Sequence, residues 1–289
     1  EGISYLPPAI VDNIQQRMNI RELTPLQKKA FNSSEFWGTK NLIVQGTTSS
    51  GKTLIAEVAA ARCIWYSGQE KNVIYLVPLK AMVSEKYAQF KKDMSNDKYD
   101  WNICPSSADY QNFDGDIVDG DFNLAIVVYE KFFAFLAQKE NERFLSSCGL
   151  VIIDEIQMLA EIDRGAKLEF SIAKLLKDYN NIRIMGLTTI HCGIGKLENW
   201  LNAVDISTPE RSCDLQEYIV MTNGEFKAKY RSKNDEGDSK EVFGTIEKYV
   251  GKDKRKSKHD ERKTDIMLAL IKQELEHGTE DNPIKFIVF

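Results

Sequence analysis

Eight consecutive residues, Gly46-Thr47-Thr48-Ser49-Ser50-Gly51-Lys52-Thr53, match the phosphate-loop pattern G-x-x-x-x-G-K-[ST] at every fixed position. Small residues in such a loop let successive backbone N–H groups turn toward a phosphate, because no side chain blocks the approach. Lys52 would bring a positive charge to the β- and γ-phosphates, and the Thr53 hydroxyl would be a Mg²⁺ ligand at the start of a helix. The loop therefore predicts a nucleoside triphosphate site, with ATP and Mg²⁺ as the expected cofactors.

Two adjacent carboxylates follow the most apolar run of the chain. The run Gly149-Leu150-Val151-Ile152-Ile153 is typical of a central strand, and it ends directly in Asp154 and Glu155. Ligands bind at the carboxyl ends of the strands in open α/β sheets, so this is where acids would meet a bound nucleotide. We expect Asp154 to hold Mg²⁺ and Glu155 to polarise the attacking water. The alternative interpretation is a solvated acidic turn after a strand.

A glutamine precedes the loop in the chain. Thr24 can cap a helix that begins at Pro25, which places Gln27 in the first turn. Because an amide both donates and accepts, Gln27 could read the N6/N7 edge of adenine. A glutamine at such a position is otherwise a solvated surface residue.

These residues need strands and helices to bring them together, and the chain alternates between the two. Predicted helices follow the strands closely, which favours an α/β fold with a central, mostly parallel sheet flanked by helices. Further on, the Asn223-Gly224 pair separates two alternating segments and predicts a hairpin. The predicted strands of the sheet are Asn41–Gln45, Asn72–Pro78, Phe122–Val128, Gly149–Ile153 and Asn181–Leu187.

The composition of the 289 residues is 43% hydrophobic and 28% charged, and no apolar run is long enough to cross a bilayer. A net charge of −5 argues against a uniformly basic surface, so any nucleic-acid contact must be local. The five cysteines form no C-x-x-C pair, which favours reduced thiols and an intracellular location.

The last part of the chain differs in character from the rest. Residues 231–263 mix charges with few apolar side chains and predict a flexible connector, while Pro283–Phe289 predicts a strand. The start, Glu1-Gly2-Ile3, favours a piece of a longer chain. We therefore expect a nucleotide-binding domain over residues 1–215. The hairpin, connector and a helix would occupy 216–282, and the first strand of a second, truncated domain would occupy 283–289.

Taken together, these motifs resemble a superfamily two helicase of the DExH-box group, in the Ski-like branch that includes archaeal fork-repair and spliceosomal unwinding helicases. The resemblance implies the first of two RecA-like P-loop NTPase domains, and ATP-driven movement along single-stranded nucleic acid, 3′ to 5′. The matching segments include Glu22–Gln27, the phosphate loop, Val77–Tyr87, Ser107–Tyr110, Tyr129–Lys131, Asp154–Leu159 and the Arg164-Gly165 pair.

The resemblance also assigns roles to residues outside the nucleotide site. Contacts to the nucleic-acid backbone would come from Lys80, Ser107, Tyr110 and Lys131, on a narrow basic and polar line across the strand ends. Coupling of ATP turnover to strand separation would come from Gln157, Thr188 and Thr189. A second RecA-like domain of the same full-length chain would be a partner.

Several positions depart from the family pattern, and Val127 and Val128 stand where threonines would contact the nucleic-acid backbone. Gln157 stands in place of a histidine, Ile190 in place of a threonine, and Lys80 in place of an arginine, which loses the bidentate fork. Two other functions stay open: a polynucleotide-independent P-loop NTPase and a non-catalytic ATP-binding scaffold.

Overall fold

The computed structural model describes residues 11–12, 22–68, 70–94, 101–138, 143–189, 194–208, 215–220, 225–231 and 240–245. The chain divides into two compact units, Glu1–Ser212 and Cys213–Phe289. Within the described part of the chain, every helix falls short of the length and apolarity that a membrane crossing requires.

The first unit alternates between helices and strands, as the sequence predicts. Its elements in chain order are α1 (Pro25–Asn32), α2 (Ser34–Trp37), β1 (Asn41–Gln45), α3 (Lys52–Tyr66), β2 (Asn72–Val77), α4 (Lys80–Met94), β3 (Ile103–Ser106), α5 (Asp114–Asp119), β4 (Leu124–Val128), α6 (Tyr129–Ala137), α7 (Arg143–Ser146), β5 (Cys148–Ile153), a 3₁₀ helix (Ile156–Ala160), α8 (Ile162–Asp178), β6 (Arg183–Thr188), α9 (Ile194–Leu201) and β7 (Ala203–Ser207).

The seven strands form one sheet in the order β3-β4-β2-β5-β6-β1-β7, and every neighbouring pair is parallel. All strand carboxyl ends therefore lie at one edge. Along this edge, β5, β6 and β1 are consecutive, and so are β3, β4 and β2. The phosphate loop after β1 and the acids after β5 thus share one half of the edge, separated by β6 alone.

Both faces of the sheet are covered. Side chains alternate across a strand, so Leu42 and Val44 pack into one hydrophobic cluster, whereas Ile43 packs into the other. The first cluster includes residues of α1, α3 and α4, and the second includes residues of α6 and α8. Burial on both faces explains why the sequences of the central strands are continuous apolar runs.

The predicted α/β fold is confirmed, but the sequence missed two strands of the sheet. These strands, β3 and β7, lie at its two edges. β3 contains Pro105, which an edge strand tolerates because one side of its backbone needs no partner. β7 is only half-buried over most of its length and carries polar residues, so it lacks an apolar run.

The second unit contains β8 (Leu215–Val220), β9 (Glu225–Arg231) and β10 (Lys240–Thr245) in an antiparallel sheet of order β10-β9-β8. The pairing of β8 with β9 agrees with the predicted hairpin. The connector prediction is wrong for Lys240–Thr245, which pairs with β9. The charged residues of the surrounding segment concealed this strand, and strand pairing itself uses backbone groups that every residue carries. The helix and strand predicted after residue 245 lie outside the described residues, and the domain division stays a prediction.

Candidate functional site

The phosphate loop runs from the end of β1 to the start of α3, and its shape depends on two glycines. Gly51 has a φ of 84°, in the left-handed region that favours glycine. A Cβ at Gly51 would lie 2.0 Å from the Gln27 amide nitrogen, and one at Gly46 would lie 2.6 Å from both Leu26 and Ser50 side-chain atoms. Any side chain at these positions would therefore push the loop apart.

Lys52 folds back over this loop. Its ammonium donates to the carbonyl oxygens of Gly46 at 2.8 Å and Thr47 at 3.0 Å. Burial lowers the pKa of Lys52, while the nearby carboxylates of Glu155 and Asp154 oppose that change. The acids and the lysine that the sequence placed in one site are thus within electrostatic reach of each other.

The first turn of α1 supports the loop from outside. The Thr24 hydroxyl donates to the Ser50 carbonyl at 2.7 Å, and the Gln27 amide nitrogen donates to the Gly51 carbonyl at 3.1 Å. Gln27 also closes a capping box, because its amide oxygen accepts from the Thr24 backbone N–H at 2.9 Å. With 4% of its surface exposed, Gln27 is not the solvated surface residue of the alternative interpretation. Its role in reading adenine stays a prediction.

Asp154 lies at the carboxyl end of β5 and is buried. The Tyr75 hydroxyl donates to its Oδ2 at 2.9 Å, and the Tyr129 hydroxyl donates to its backbone carbonyl. Burial raises the pKa of Asp154, and the positive charge of Lys86 is the strongest of the influences that oppose the increase. Asp154 is therefore held in one orientation, which the alternative of a solvated turn does not provide.

Glu155 follows in a left-handed conformation, with a φ of 55°. Such backbone strain in a residue other than glycine occurs preferentially at functional sites. The Gln157 amide nitrogen donates to Glu155 Oε2 and, at 3.4 Å, to the Thr189 hydroxyl. The Thr188 carbonyl accepts from the Gly46 N–H at 3.1 Å. The end of β6 therefore contacts both the phosphate loop and the side chain that holds Glu155.

The loop fits a bound phosphate group. The hydroxyl oxygens of Thr47 and Ser50 are buried and have no hydrogen-bond partner within the protein. Unpaired buried hydroxyls are costly, and phosphate oxygens would accept from both. Among the described residues, no cluster of three or more His, Cys, Asp or Glu could hold a metal. The oxygens of Thr53 and Asp154 suit Mg²⁺, and nucleotide oxygens would have to complete its ligands.

The lysines predicted to contact nucleic acid are both paired with aspartates. Lys80 lies 3.3 Å from Asp109, with both side chains mostly exposed. Lys131 forms an ion pair with Asp114 in which the side chains are only 21% and 28% exposed. The Ser106 hydroxyl donates to the other oxygen of Asp114 at 2.6 Å and so fixes this carboxylate. The pair at Lys131 is therefore the more strongly held of the two.

Ser107 and Tyr110 form the turn that follows β3. Their backbones exchange hydrogen bonds of 3.3 and 3.2 Å, and the Ser107 hydroxyl accepts from the Asp109 N–H at 3.2 Å. Ser107 is fully buried, and its contact to nucleic acid stays a prediction. Tyr110 is half-buried, with its ring 6.0 Å from that of Tyr87.

Two residues at this edge received no role from the sequence. Arg164 donates to the Pro78 carbonyl at 3.2 Å and pairs with Glu130 at 3.4 Å, so it connects the ends of β2 and β4. Lys86 is buried, and its ammonium donates to the Thr53 hydroxyl at 3.3 Å. The signal for Lys86 was its position among the inward-facing residues of α4, at helical spacing from Val83 and Phe90.

Comparisons with known proteins agree with this site. The family model described as DEAD/DEAH box helicase matches residues 24–190. The chain is 32% identical over 214 residues to the ATP-dependent DNA helicase Hel308 of Pyrococcus abyssi, and 33% identical over 223 residues to that of Methanocaldococcus jannaschii. These matches cover 72% and 74% of the chain, but the chain spans only 27% and 18% of those relatives.

Solved structures show the same fold. The DUF1998 helicase MrfA, bound to DNA and AMPPNP, superposes with a TM-score of 0.61 at 14% identity, covering 71% of this chain and 29% of MrfA. A second structure of MrfA, bound to DNA, gives a TM-score of 0.59 at 17% identity, covering 71% of this chain and 30% of MrfA. At sequence identities this low, the similarity shows a shared fold only. That fold agrees with the RecA-like domain that the sequence predicted.

Proposed function

Because the chain belongs to the DEAD/DEAH box helicase family, we propose that it is the ATP-binding motor domain of a nucleic-acid-dependent ATPase and helicase. One observation carries this proposal. The strand order brings the phosphate loop and Asp154 together at the ends of β1, β6 and β5, and it gathers Lys80 and Lys131 at the ends of β2 and β4. A nucleotide site and a nucleic-acid site would thus lie side by side on one sheet edge.

In the nucleotide half, each residue has a chemical task. The loop N–H groups and Lys52 would bind the phosphates, and Thr53 with Asp154 would hold Mg²⁺. The metal would neutralise charge on the phosphate oxygens when it is bound. Glu155, oriented by Gln157, would accept hydrogen bonds from the attacking water and take its proton. Gln27 would read the adenine edge.

In the nucleic-acid half, Lys80, Lys131 and Tyr110 would contact the backbone of a single strand. The relatives are named DNA helicases, and MrfA was solved with DNA, which supports a nucleic-acid partner. Movement in the 3′ to 5′ direction and an intracellular site of action belong to the same proposal. Since the chain spans 27% of the Pyrococcus relative, we also propose that a second RecA-like domain of a longer chain completes the ATP site.

The experiment compares nucleotide binding and turnover in two proteins. The 289-residue chain should bind a fluorescent ATP analogue but hydrolyse ATP slowly, because the arginines of a second domain typically supply about 10³ to 10⁵ in rate. The longer natural protein should hydrolyse ATP quickly, and single-stranded oligonucleotide should stimulate it.

Two results would favour the alternatives. Fast turnover that ignores oligonucleotide would indicate a self-contained NTPase. ATP binding without turnover in the longer protein would indicate a non-catalytic scaffold. Either result would refute the helicase proposal.

A further inference from the structure

Lys86 is a lysine on the inward face of a helix. It lies three residues after Val83 and four before Phe90 in α4, both of which are fully buried, and only 6% of Lys86 is exposed. Lysines are almost never buried unless they are paired, because removing the ammonium from water is costly. A specific negative or polar environment must therefore compensate this charge.

The compensation comes from the nucleotide site. The Lys86 ammonium donates to Thr53 Oγ1 at 3.3 Å. Its positive charge also lowers the pKa of the buried Asp154 carboxyl, and it does so more strongly than the charge of Lys52. Thr53 and Asp154 are the two residues that would hold the metal. The ammonium thus lies beside the metal-binding oxygens of this chain.

Other charged and titratable groups surround the same region. Lys52 and Glu155 both influence Asp154, and Tyr75 hydrogen-bonds to it. Glu57, buried on the neighbouring helix α3, accepts from the Gln89 amide nitrogen of α4 at 2.6 Å. At the metal site, Lys86 therefore contacts Thr53 and acts on the carboxylate of Asp154.

We propose that Lys86 is a positioning residue of the metal site, whose ammonium supplies at Thr53 and Asp154 the positive charge that Mg²⁺ brings when nucleotide binds. This inference rests on the proposed ATP site. Before the metal is present, Lys86 keeps Asp154 compensated and Thr53 oriented. The Lys86 ammonium would be repelled by a Mg²⁺ ion held at Thr53 and Asp154, and it would then release the Thr53 hydroxyl to the metal. The result is a site whose nucleotide affinity depends less on Mg²⁺ than it would without Lys86.

Two simpler roles make different predictions. A lysine that only stabilises the fold would change the thermal stability, but it would leave the effect of Mg²⁺ on nucleotide affinity as it is. A lysine that binds phosphate beside the metal would change the affinity equally with and without Mg²⁺. The ratio of the nucleotide dissociation constant without Mg²⁺ to the one with Mg²⁺ therefore changes only if the proposal is right.

The experiment measures binding of N-methylanthraniloyl-ATP to the 289-residue chain, in excess Mg²⁺ and in EDTA, by fluorescence titration. The ratio of the dissociation constant in EDTA to that in Mg²⁺ should increase about tenfold in Lys86→Met, because one positive charge beside the site is removed. Lys91→Met, which removes an exposed lysine of the same helix, is the matched control and should leave the ratio unchanged.

Two further variants keep the experiment decisive if Lys86→Met does not fold. Lys86→Arg keeps the charge, and its ratio should lie within about twofold of the wild type. Lys86→Gln keeps a donor for Thr53 without the charge, and it should reproduce the increase if Lys86→Met does not fold. An unchanged ratio in the folded charge-removing variants overturns the inference. Absence of binding by the wild-type chain, in contrast, would refute the proposed ATP site itself.

Discussion

The ion pair between Asp114 and Lys131 should control how strongly this sheet edge binds a single strand. Asp114 is fixed by Ser106 and holds Lys131 in a partly buried position, so a phosphate would have to compete with Asp114 for the charge of this lysine. Substituting Asp114→Asn removes the competing charge and keeps an oxygen that can accept from Ser106. The variant should therefore bind single-stranded nucleic acid more tightly than the wild type.

The size of the effect follows from the release of counterions. Each phosphate neutralised on a single strand steepens the dependence of log K on log salt by about 0.7. One newly available lysine therefore predicts that Asp114→Asn loses roughly 2.6-fold more affinity than the wild type between 50 and 200 mM salt. Lys80 should respond less to removal of its partner Asp109, because that pair is largely exposed and already weak.

The assay is fluorescence anisotropy of a labelled oligothymidylate at four or more salt concentrations. Asp119→Asn is the matched control, since it removes the same charge from an exposed residue at the other end of α5. In a Lys131→Met background, Asp114→Asn should have no effect on the slope. Equal slopes for Asp114→Asn and Asp119→Asn would show that net charge alone matters, and the reasoning about Lys131 would be wrong.

Three other substitutions test the nucleotide half and the fold. Lys52→Ala should abolish binding of the fluorescent ATP analogue, since it removes the ammonium that lies over the loop; unchanged affinity would contradict the phosphate-loop assignment. Glu155→Gln should still bind ATP but hydrolyse it about 10² times more slowly in the longer protein, and loss of binding instead would contradict the division of roles. Gly165→Ala should lower the free energy of unfolding by about 1–3 kcal/mol in urea titrations, because the new Cβ would lie 2.3 Å from the Leu159 carbonyl. An unchanged midpoint would mean that the 3₁₀ helix moves aside at no cost.

Local patterns predicted which elements carry the nucleotide half of the candidate site. The glycine spacing of the phosphate loop and the apolar run before Asp154 are contiguous signals, and the structure places both where the sequence indicated. The burial of Gln27 was less evident, since a glutamine in a first turn is usually solvated. Its environment depends on the loop that α1 packs against, which lies more than 20 residues further along the chain.

Charge pairing was the part that the sequence did not show. Lys80 and Asp109 come from segments after different strands, as do Lys131 and Asp114, and only the order of β2, β4 and β3 brings them together. Lys86 did have a signal in its helical spacing from Val83 and Phe90, but it was missed because α4 also carries exposed lysines. The residue type alone does not distinguish a lysine that faces a neighbouring helix from one that faces water.

The position of β1 within the sheet has a consequence for how the protein is made. This strand pairs with β6 and β7 only, and its residue Ile43 lies opposite Gly186, about 140 residues later in the chain. At roughly 5 to 20 residues per second, a ribosome needs about 7 to 28 seconds to synthesise that distance. During this interval the two strands that flank Asn41–Gln45 in the sheet do not yet exist, and an unpaired apolar strand of this kind is prone to aggregate. A nascent chain that stops before Arg183 contains the whole phosphate loop, yet it lacks the strands that hold the loop in place.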